Sequence, residues 1–204
     1  MKVFIAFIIL CFLLIWDLIN GNNKEFFEGH SGQSTVQTKF LQDKSKNSSV
    51  KNILEIGFNA GHSSRTFLES NKNVHVTSFD LGLYNYKAHK SEIDNKYPDR
   101  HTLIIGNSLD TIPKFNNDKK YDLIFFDGGH EYNVSYNDLK NCKRLAHSDT
   151  LVIMDDVVRN KKLSHFNLGP NKAWSQMITD KEIIELGQID ISDSRGFAYG
   201  RYIL

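Results

Sequence analysis

Three aspartates and a histidine stand where two predicted strands end. Asp127 and His130 belong to the run Asp-Gly-Gly-His that follows one apolar stretch, and Asp155 and Asp156 follow the next. Because the carboxyl ends of adjacent parallel strands meet at one edge of a sheet, we expect these side chains to lie side by side. Crowded carboxylates raise one another's pKa, and a bound divalent cation relieves that repulsion. Carboxylate oxygens favour Mg²⁺, with Mn²⁺ or Ca²⁺ as substitutes, so the sequence predicts a metal site at Asp127, Asp155 and Asp156.

Each of these residues also has a simpler interpretation. Asp127 could act only through hydrogen bonds to a ligand, without a metal. Asp156 could cap the segment that follows it, and His130 could cap the helix that begins beside it. On the sequence alone, the metal site and a chemical role for the histidine are therefore hypotheses.

A glycine-containing turn follows the first predicted strand, in the run Glu55-Ile-Gly57-Phe-Asn59-Ala-Gly61. Glycines allow a tight turn and let a ligand approach the backbone closely. The helix that begins near Gly61 offers unpaired N–H groups to such a ligand. The dinucleotide-binding pattern G-x-G-x-x-G requires a second glycine where Asn59 stands, so this turn favours a ligand without a diphosphate.

Short apolar runs alternate with helical segments from Lys51 onwards, and this alternation predicts the elements that hold the candidate residues. Buried parallel strands separated by helices form a doubly wound α/β sheet. We expect seven strands, mostly parallel, with an antiparallel last strand because little sequence separates the final two. The predicted strands are 53–56, 74–79, 102–105, 121–126, 150–154, 182–189 and 196–203, and the predicted helices are 61–70, 86–96, 109–114, 131–145 and 171–179. Ligands of such sheets bind outside the carboxyl ends of the strands, which adds Asp80, Asn107 and Ser108 to the candidates.

The pattern E-x-G-x-x-x-G after the first strand, followed by Asp80 after the second, resembles class I S-adenosylmethionine-dependent methyltransferases, over about residues 51–204. The resemblance implies that Asp80 accepts hydrogen bonds from the ribose hydroxyls of the cofactor and that Asn107-Ser108 borders the adenine. The family more often has an acid where Asn107 stands. The cofactor-binding residues expected from the resemblance are Glu55, Gly57, Asn59, Gly61, Asp80, Asn107, Ser108 and Asp127.

The acidic strand ends are similar to those of the metal-dependent small-molecule O-methyltransferases of the catechol type. The form D-G-G-H looks closer to the branch that contains the macrolide sugar O-methyltransferases and the cephalosporin hydroxylase-like proteins. This resemblance implies that His130 and Asp127 are catalytic, with His130 as the general base, and that Asp127, Asp155 and Asp156 bind the metal. The expected activity is methylation of a hydroxyl on a small acceptor, sugars included. The alternatives are a metal-independent methyltransferase with another acceptor and a membrane-tethered, inactive protein that keeps the fold.

The overall composition limits the remaining function classes. The chain has 204 residues with 25 basic and 24 acidic side chains, a formal net charge of +1, so no nucleic acid partner is expected. Its two cysteines make a disulfide scaffold or a zinc site of the cysteine type implausible. A homo-oligomer remains open.

The first 19 residues form a separate, strongly apolar segment. Residues 3–16 contain no polar side chain, which is short of the roughly 20 apolar residues that a spanning helix needs. We interpret residues 1–19 as a membrane anchor, with the catalytic domain in the cytosol. The alternative is that they form a signal peptide and that the protein is secreted. No small-x-small cleavage site, which a signal peptide would have, is evident in the sequence. Residues 20–34 are interpreted as a linker and residues 35–204 as the catalytic domain.

Overall fold

Seven strands form one sheet in the computed structural model, which describes residues 34–116, 118–159 and 163–204. The strands are β1 (Asn52–Ile56), β2 (His75–Asp80), β3 (His101–Ile105), β4 (Tyr121–Phe126), β5 (Ala146–Asp155), β6 (Ile183–Asp190) and β7 (Gly196–Tyr202). Their order across the sheet is β3-β2-β1-β4-β5-β7-β6. Neighbours from β3 to β5 are parallel, and β7 pairs antiparallel with both β5 and β6. The predicted fold class, with an antiparallel last strand, is confirmed.

The strand order reverses between β1 and β4, which lie side by side at the centre of the sheet. The chain leaves β1 towards β2 and β3, and leaves β4 towards β5. The turns that follow these two strands therefore diverge, and a crevice opens between them at the carboxyl edge of the sheet. This is the edge to which the sequence assigns the candidate residues.

Helices cover both faces of the sheet. They are α1 (Thr35–Ser45), α2 (His62–Ser70), α3 (Tyr86–Lys96), α4 (Ser108–Lys114), α5 (Tyr132–Cys142) and α6 (Leu168–Thr179), and a short 3₁₀ turn (Lys143–Leu145) follows α5. One buried cluster lies between the sheet and α4, α5 and α6, and a second lies between the sheet and α1, α2 and α3. Adjacent apolar residues within the central strands, such as Ile53-Leu54 and Leu123-Ile124, supply side chains to both clusters.

Helix α1 is not predicted by the sequence pattern. Its buried positions are Gln37, Leu41 and Ser45, spaced as on one helix face, but only Leu41 is apolar. The helix is instead stabilised at its start, where the hydroxyl of Ser34 accepts a hydrogen bond of 3.2 Å from the backbone N–H of Gln37. A buried face made largely of polar residues gives no apolar period to detect.

The expected membrane location is corrected by the structure. Within residues 34–116, 118–159 and 163–204, no helix is long and apolar enough to cross a bilayer. A spanning helix needs roughly 20 residues, and α6, with 12, falls well short of that length. The segment 1–19 and the linker as far as residue 33 lie outside the described residues. The predicted membrane span is thus not found in the part of the chain that the structure describes.

Candidate active site

The turn between β1 and α2 runs directly against the turn that follows β4. Gly57 has a φ of +99°, and a Cβ at that position would lie 1.8 Å from the backbone oxygen of Asp127. Only a residue without a side chain permits both the backbone conformation and this approach. The backbone N–H of Asp127 in turn donates to the carbonyl of Ile56 at 2.8 Å. The two central turns of the crevice are thus joined through their main chains.

Asp80, at the end of β2, fixes the shape of the β1–α2 turn. Its Oδ2 accepts hydrogen bonds from the backbone N–H groups of Phe58 and Asn59, both at 2.9 Å. Its Oδ1 accepts one from the N–H of Gly82 at 2.7 Å. The carboxylate is half-buried and faces the crevice, so it is available to a ligand while it holds the turns on either side of it.

The crevice contains a cavity of about 370 Å³. The turns after β1, β2, β3 and β4 all contribute to its lining. The predicted site residues that line it are Gly57, Asn59, Asp80, Asn107, Ser108, Asp127 and His130. The sequence thus places residues from four separate turns round one cavity.

Two residues expected to contact the cofactor, Gly61 and Glu55, do not line this cavity, and their contacts with the cofactor stay predictions. Gly61 begins α2 in the left-handed conformation, with a φ of +71°, and its role is to start that helix. Glu55 is fully buried behind the turn, where its carboxylate accepts hydrogen bonds from the hydroxyls of Ser64 and Ser78. Burial raises the pKa of Glu55 to about 7, more than the serine hydroxyls lower it.

Asn107 uses its side chain locally. Its Oδ1 accepts a hydrogen bond of 3.0 Å from the backbone N–H of Leu109 and so caps α4. The preceding Gly106 donates its N–H to the backbone oxygen of Asp80 at 2.8 Å, which ties the third turn to the second. The turn after β3 thus presents mainly its backbone and Ser108 to the cavity.

The three predicted metal ligands are close enough to influence one another's ionisation. Burial raises the pKa of Asp127 well above its usual value, and the charges of Asp155 and Asp156 raise it further. Burial and the charge of Asp156 raise the pKa of Asp155 to about 7. Arg195, in the turn between β6 and β7, acts in the opposite direction on both groups. The repulsion expected among the acidic strand ends is therefore present.

His130 pairs with one of these acids. Its Nε2 lies 3.1 Å from Oδ2 of Asp156, and the imidazole is about one-third exposed. Asp156 has a left-handed backbone, with a φ of +58°, and Asn171 of α6 donates its Nδ2–H to the backbone oxygen of Asp156 at 3.0 Å. Helix α6 thus holds the turn after β5 in the conformation that directs Asp156 towards His130.

The described side chains do not have the geometry of a finished metal centre. Among the described residues, no group of three or more histidine, cysteine, aspartate or glutamate side chains has the arrangement of a metal site. The pairing of Asp156 with His130 occupies one of the carboxylate oxygens that the predicted metal site would use. The cluster has the oxygen chemistry that suits a hard cation, without a finished ligand geometry.

Several cavity residues are not among the sequence candidates. Ser63, in the first turn of α2, is 4% exposed and lines the cavity beside the helix N-terminus. Its position two residues after Gly61 is a signal that could have identified it. Leu81, Leu83 and Tyr84 follow β2 and line the cavity although they are exposed, Leu83 by 74%. Exposed apolar side chains beside a cavity suit a flat apolar part of a ligand, but nothing in their spacing distinguishes them from an ordinary loop.

Comparisons with known proteins are consistent with this arrangement. A family model described as a methyltransferase domain matches residues 54–157, just over half of the chain. A search of curated protein sequences found no significant match.

Solved structures of three methyltransferases share the fold. An O-methyltransferase from Bacillus cereus in complex with SAH is 22% identical, with a TM-score of 0.70 over 83% of this chain and 82% of that one. An O-methyltransferase of tomaymycin synthesis from Streptomyces achromogenes, in complex with SAM, is 16% identical, with a TM-score of 0.69 over 83% and 80%. An SAH-bound methyltransferase from Podospora anserina is 20% identical, with a TM-score of 0.66 over 83% and 79%. At these identities the likeness establishes the common fold.

Proposed function

The chain belongs to the methyltransferase domain family, and from that premise we propose that it transfers the methyl group of S-adenosylmethionine to a hydroxyl oxygen of a small acceptor. The observation that carries the proposal is the arrangement of one cavity. Asp80 and His130 both line it, and His130 is paired with Asp156. A cofactor site and a proton acceptor therefore share one crevice.

The residues round the cavity suit the parts of S-adenosylmethionine. Oδ1 of Asp80, which accepts one backbone N–H, keeps a lone pair for a ribose hydroxyl of the cofactor. The N-terminus of α2 suits the carboxylate of the methionine portion, because the N–H groups at the start of a helix favour negative charge. Ser108 and the exposed Leu81 suit the adenine edge and face. The SAM and SAH bound in solved structures of the same fold support S-adenosylmethionine as the cofactor.

His130 is proposed as the general base. When Nε2–H of the neutral imidazole is donated to Asp156, the ring lone pair is on Nδ1. Nδ1 takes the proton of the acceptor hydroxyl as the oxygen attacks the methyl carbon. The bond between that carbon and the sulfonium sulfur breaks, and its electron pair goes to sulfur to give S-adenosylhomocysteine. Asp156 stabilises the imidazolium that forms.

This step is tested by His130→Ala, with His147→Ala at the opposite edge of the sheet as the matched control. Isothermal titration gives the affinity for S-adenosylhomocysteine, and its formation from S-adenosylmethionine with catechol and sugar acceptors gives the rate. We expect His130→Ala to reduce kcat by about 10²–10⁴-fold with unchanged cofactor affinity. Full activity of His130→Ala would remove the histidine from the mechanism. Failure of the folded wild-type chain to bind either form of the cofactor would overturn the methyltransferase proposal itself.

A divalent cation, with Mg²⁺ as first choice, is a second component of the proposal. Asp127, Asp155 and Asp156 would hold it, because their mutual repulsion is the condition that a bound cation relieves. When bound, such a cation lowers the pKa of an acceptor hydroxyl. Thermal melting with Mg²⁺ and with EDTA tests it: we expect Mg²⁺ to raise the Tm of the wild type and not that of Asp155→Ala. An identical response of both proteins would remove the cation from the proposal.

A further inference from the structure

Behind the β1–α2 turn, four polar side chains form a buried network that the proposed reaction does not use. Glu55 of β1, Ser64 of α2, Ser78 of β2 and His101 of β3 are all buried, with His101 only 6% exposed. The hydroxyls of both serines donate to Oε2 of Glu55. Nε2 of His101 lies 3.0 Å from the hydroxyl oxygen of Ser78 and 3.3 Å from that of Ser64. The network connects three neighbouring strands to the helix that begins at the turn.

The protons in this network can be assigned by counting. Each serine has one hydroxyl proton, and above pH 7, where Glu55 is ionised, both of these protons go to its carboxylate. The contacts between the serine oxygens and His101 must then use the proton on Nε2 of the ring. Nδ1 of His101 carries the lone pair and has no hydrogen-bond partner among the described residues. Burial lowers the pKa of His101 to about 3, which agrees with a neutral ring.

His101 also supports the turn directly. Its ring packs against the ring of Phe58, with centroids 5.2 Å apart. Phe58 lies between Gly57 and Asn59, lines the cavity, and donates its backbone N–H to Asp80. The imidazole therefore touches the cofactor turn through Phe58 and the start of α2 through Ser64.

We propose that His101 is a positioning residue for cofactor binding. Its Nε2–H fixes Ser64 and Ser78, and its ring fixes Phe58, so that the backbone N–H groups of the turn stay on Asp80 when the cofactor binds. The inference rests on the proposed function, because the ligand of the turn is taken to be S-adenosylmethionine. His101 itself does not line the cavity.

The test compares the affinity for S-adenosylhomocysteine, measured by isothermal titration, in His101→Leu and His101→Gln. Leucine keeps an apolar contact with Phe58 and removes the donor, so we expect binding about tenfold weaker than in the wild type. Glutamine places an N–H donor at nearly the reach of Nε2, so we expect it to restore binding to within about threefold. The control is His75→Leu on β2, whose Nε2 lies 3.2 Å from the hydroxyl oxygen of the exposed Thr102; its affinity should not change.

Ser78→Ala covers the case in which His101→Leu does not fold, because it removes one acceptor of the ring proton with little change in volume. Weaker binding in folded His101→Leu or Ser78→Ala, with recovery in His101→Gln, supports the proposal. Wild-type affinity in these folded variants, or equal loss in the leucine and glutamine variants, overturns it. A wild-type protein that does not bind S-adenosylhomocysteine is a different result, since it refutes the proposed function rather than the role of His101.

Discussion

Replacement of Glu55 by glutamine should change the pH dependence of stability in a way that the buried network defines. The pKa of Glu55 is raised from 4.5 to about 7, chiefly by burial. Between these two pH values the folded protein keeps a proton that the unfolded chain has released. The folded state binds more protons there, so this group makes the wild type lose stability as the pH rises. A pKa shift of about 2.5 units corresponds to roughly 3 kcal/mol in the free energy of unfolding. The folded protein has all of this stability below pH 4.5 and has lost it above pH 7.

Glu55→Gln has no charge to bury, so its stability should lack this slope. Urea unfolding at several pH values between 4.5 and 8, followed by circular dichroism, gives the free energy of unfolding of both proteins. We expect the difference between variant and wild type to increase by about 3 kcal/mol in favour of the variant over this range. Any change in the hydrogen bonds to Ser64 and Ser78 adds a constant offset, which does not affect the slope. Parallel pH profiles for the two proteins would refute the assignment of a raised pKa to Glu55.

Two further substitutions test the framework of the site by urea unfolding. Gly57→Ala places a Cβ 1.8 Å from the backbone oxygen of Asp127, at a φ of +99°, and should lower the free energy of unfolding by more than about 3 kcal/mol. In the control, Gly128→Ala, the new Cβ would meet no atom closer than 3.2 Å, so the loss of stability should be much smaller. Equal losses in the two variants would contradict the close approach of Gly57 to Asp127. Asp122→Ala removes the acceptor of two backbone N–H groups at the start of β1, at 2.7 and 2.8 Å, and should cost about 1–3 kcal/mol. The exposed Asp149→Ala is its control, and a similar small loss in both would show that the Asp122 contacts do not contribute.

The site could be predicted largely from the points at which strands end. Asp80, Asp127 and Asp156 each follow an apolar run, and parallel strands bring such points to one edge without any knowledge of tertiary contacts. The methyltransferase resemblance, which rests on the first turn and Asp80, is confirmed by the family match over residues 54–157. Strand boundaries were accurate where the run was short and bounded by polar residues, as for β4 at Tyr121–Phe126. Strand β5 begins at Ala146, earlier than expected. The sequence gives no sign of this early part because its residues are mostly polar, and Ala146, opposite Tyr121, is its one paired position before Leu151.

The sequence could not show which side of a strand or turn each residue faces, and therefore could not show which residues contact the cavity. Glu55 and Gly57 are two residues apart in the same motif, yet one is buried behind the turn and the other lines the cavity. His101 reaches Ser78 only because β2 and β3 pair in a particular register, with Ser78 opposite Leu103. No spacing within a single segment reports such a relationship across strands.

The turn after β5 is a place where backbone preference and chemistry require different residues. A left-handed conformation such as that of Asp156 costs an L-residue roughly 1–2 kcal/mol, and glycine adopts it freely. Aspartate is among the few side chains that tolerate it, but glycine would give the more stable turn. Selection for stability alone would therefore move this position towards glycine, whereas the contact with His130 requires the carboxylate. Relatives that keep an aspartate at this position, in spite of selection for stability, are then expected to be those whose turnover depends on the contact between this carboxylate and the histidine.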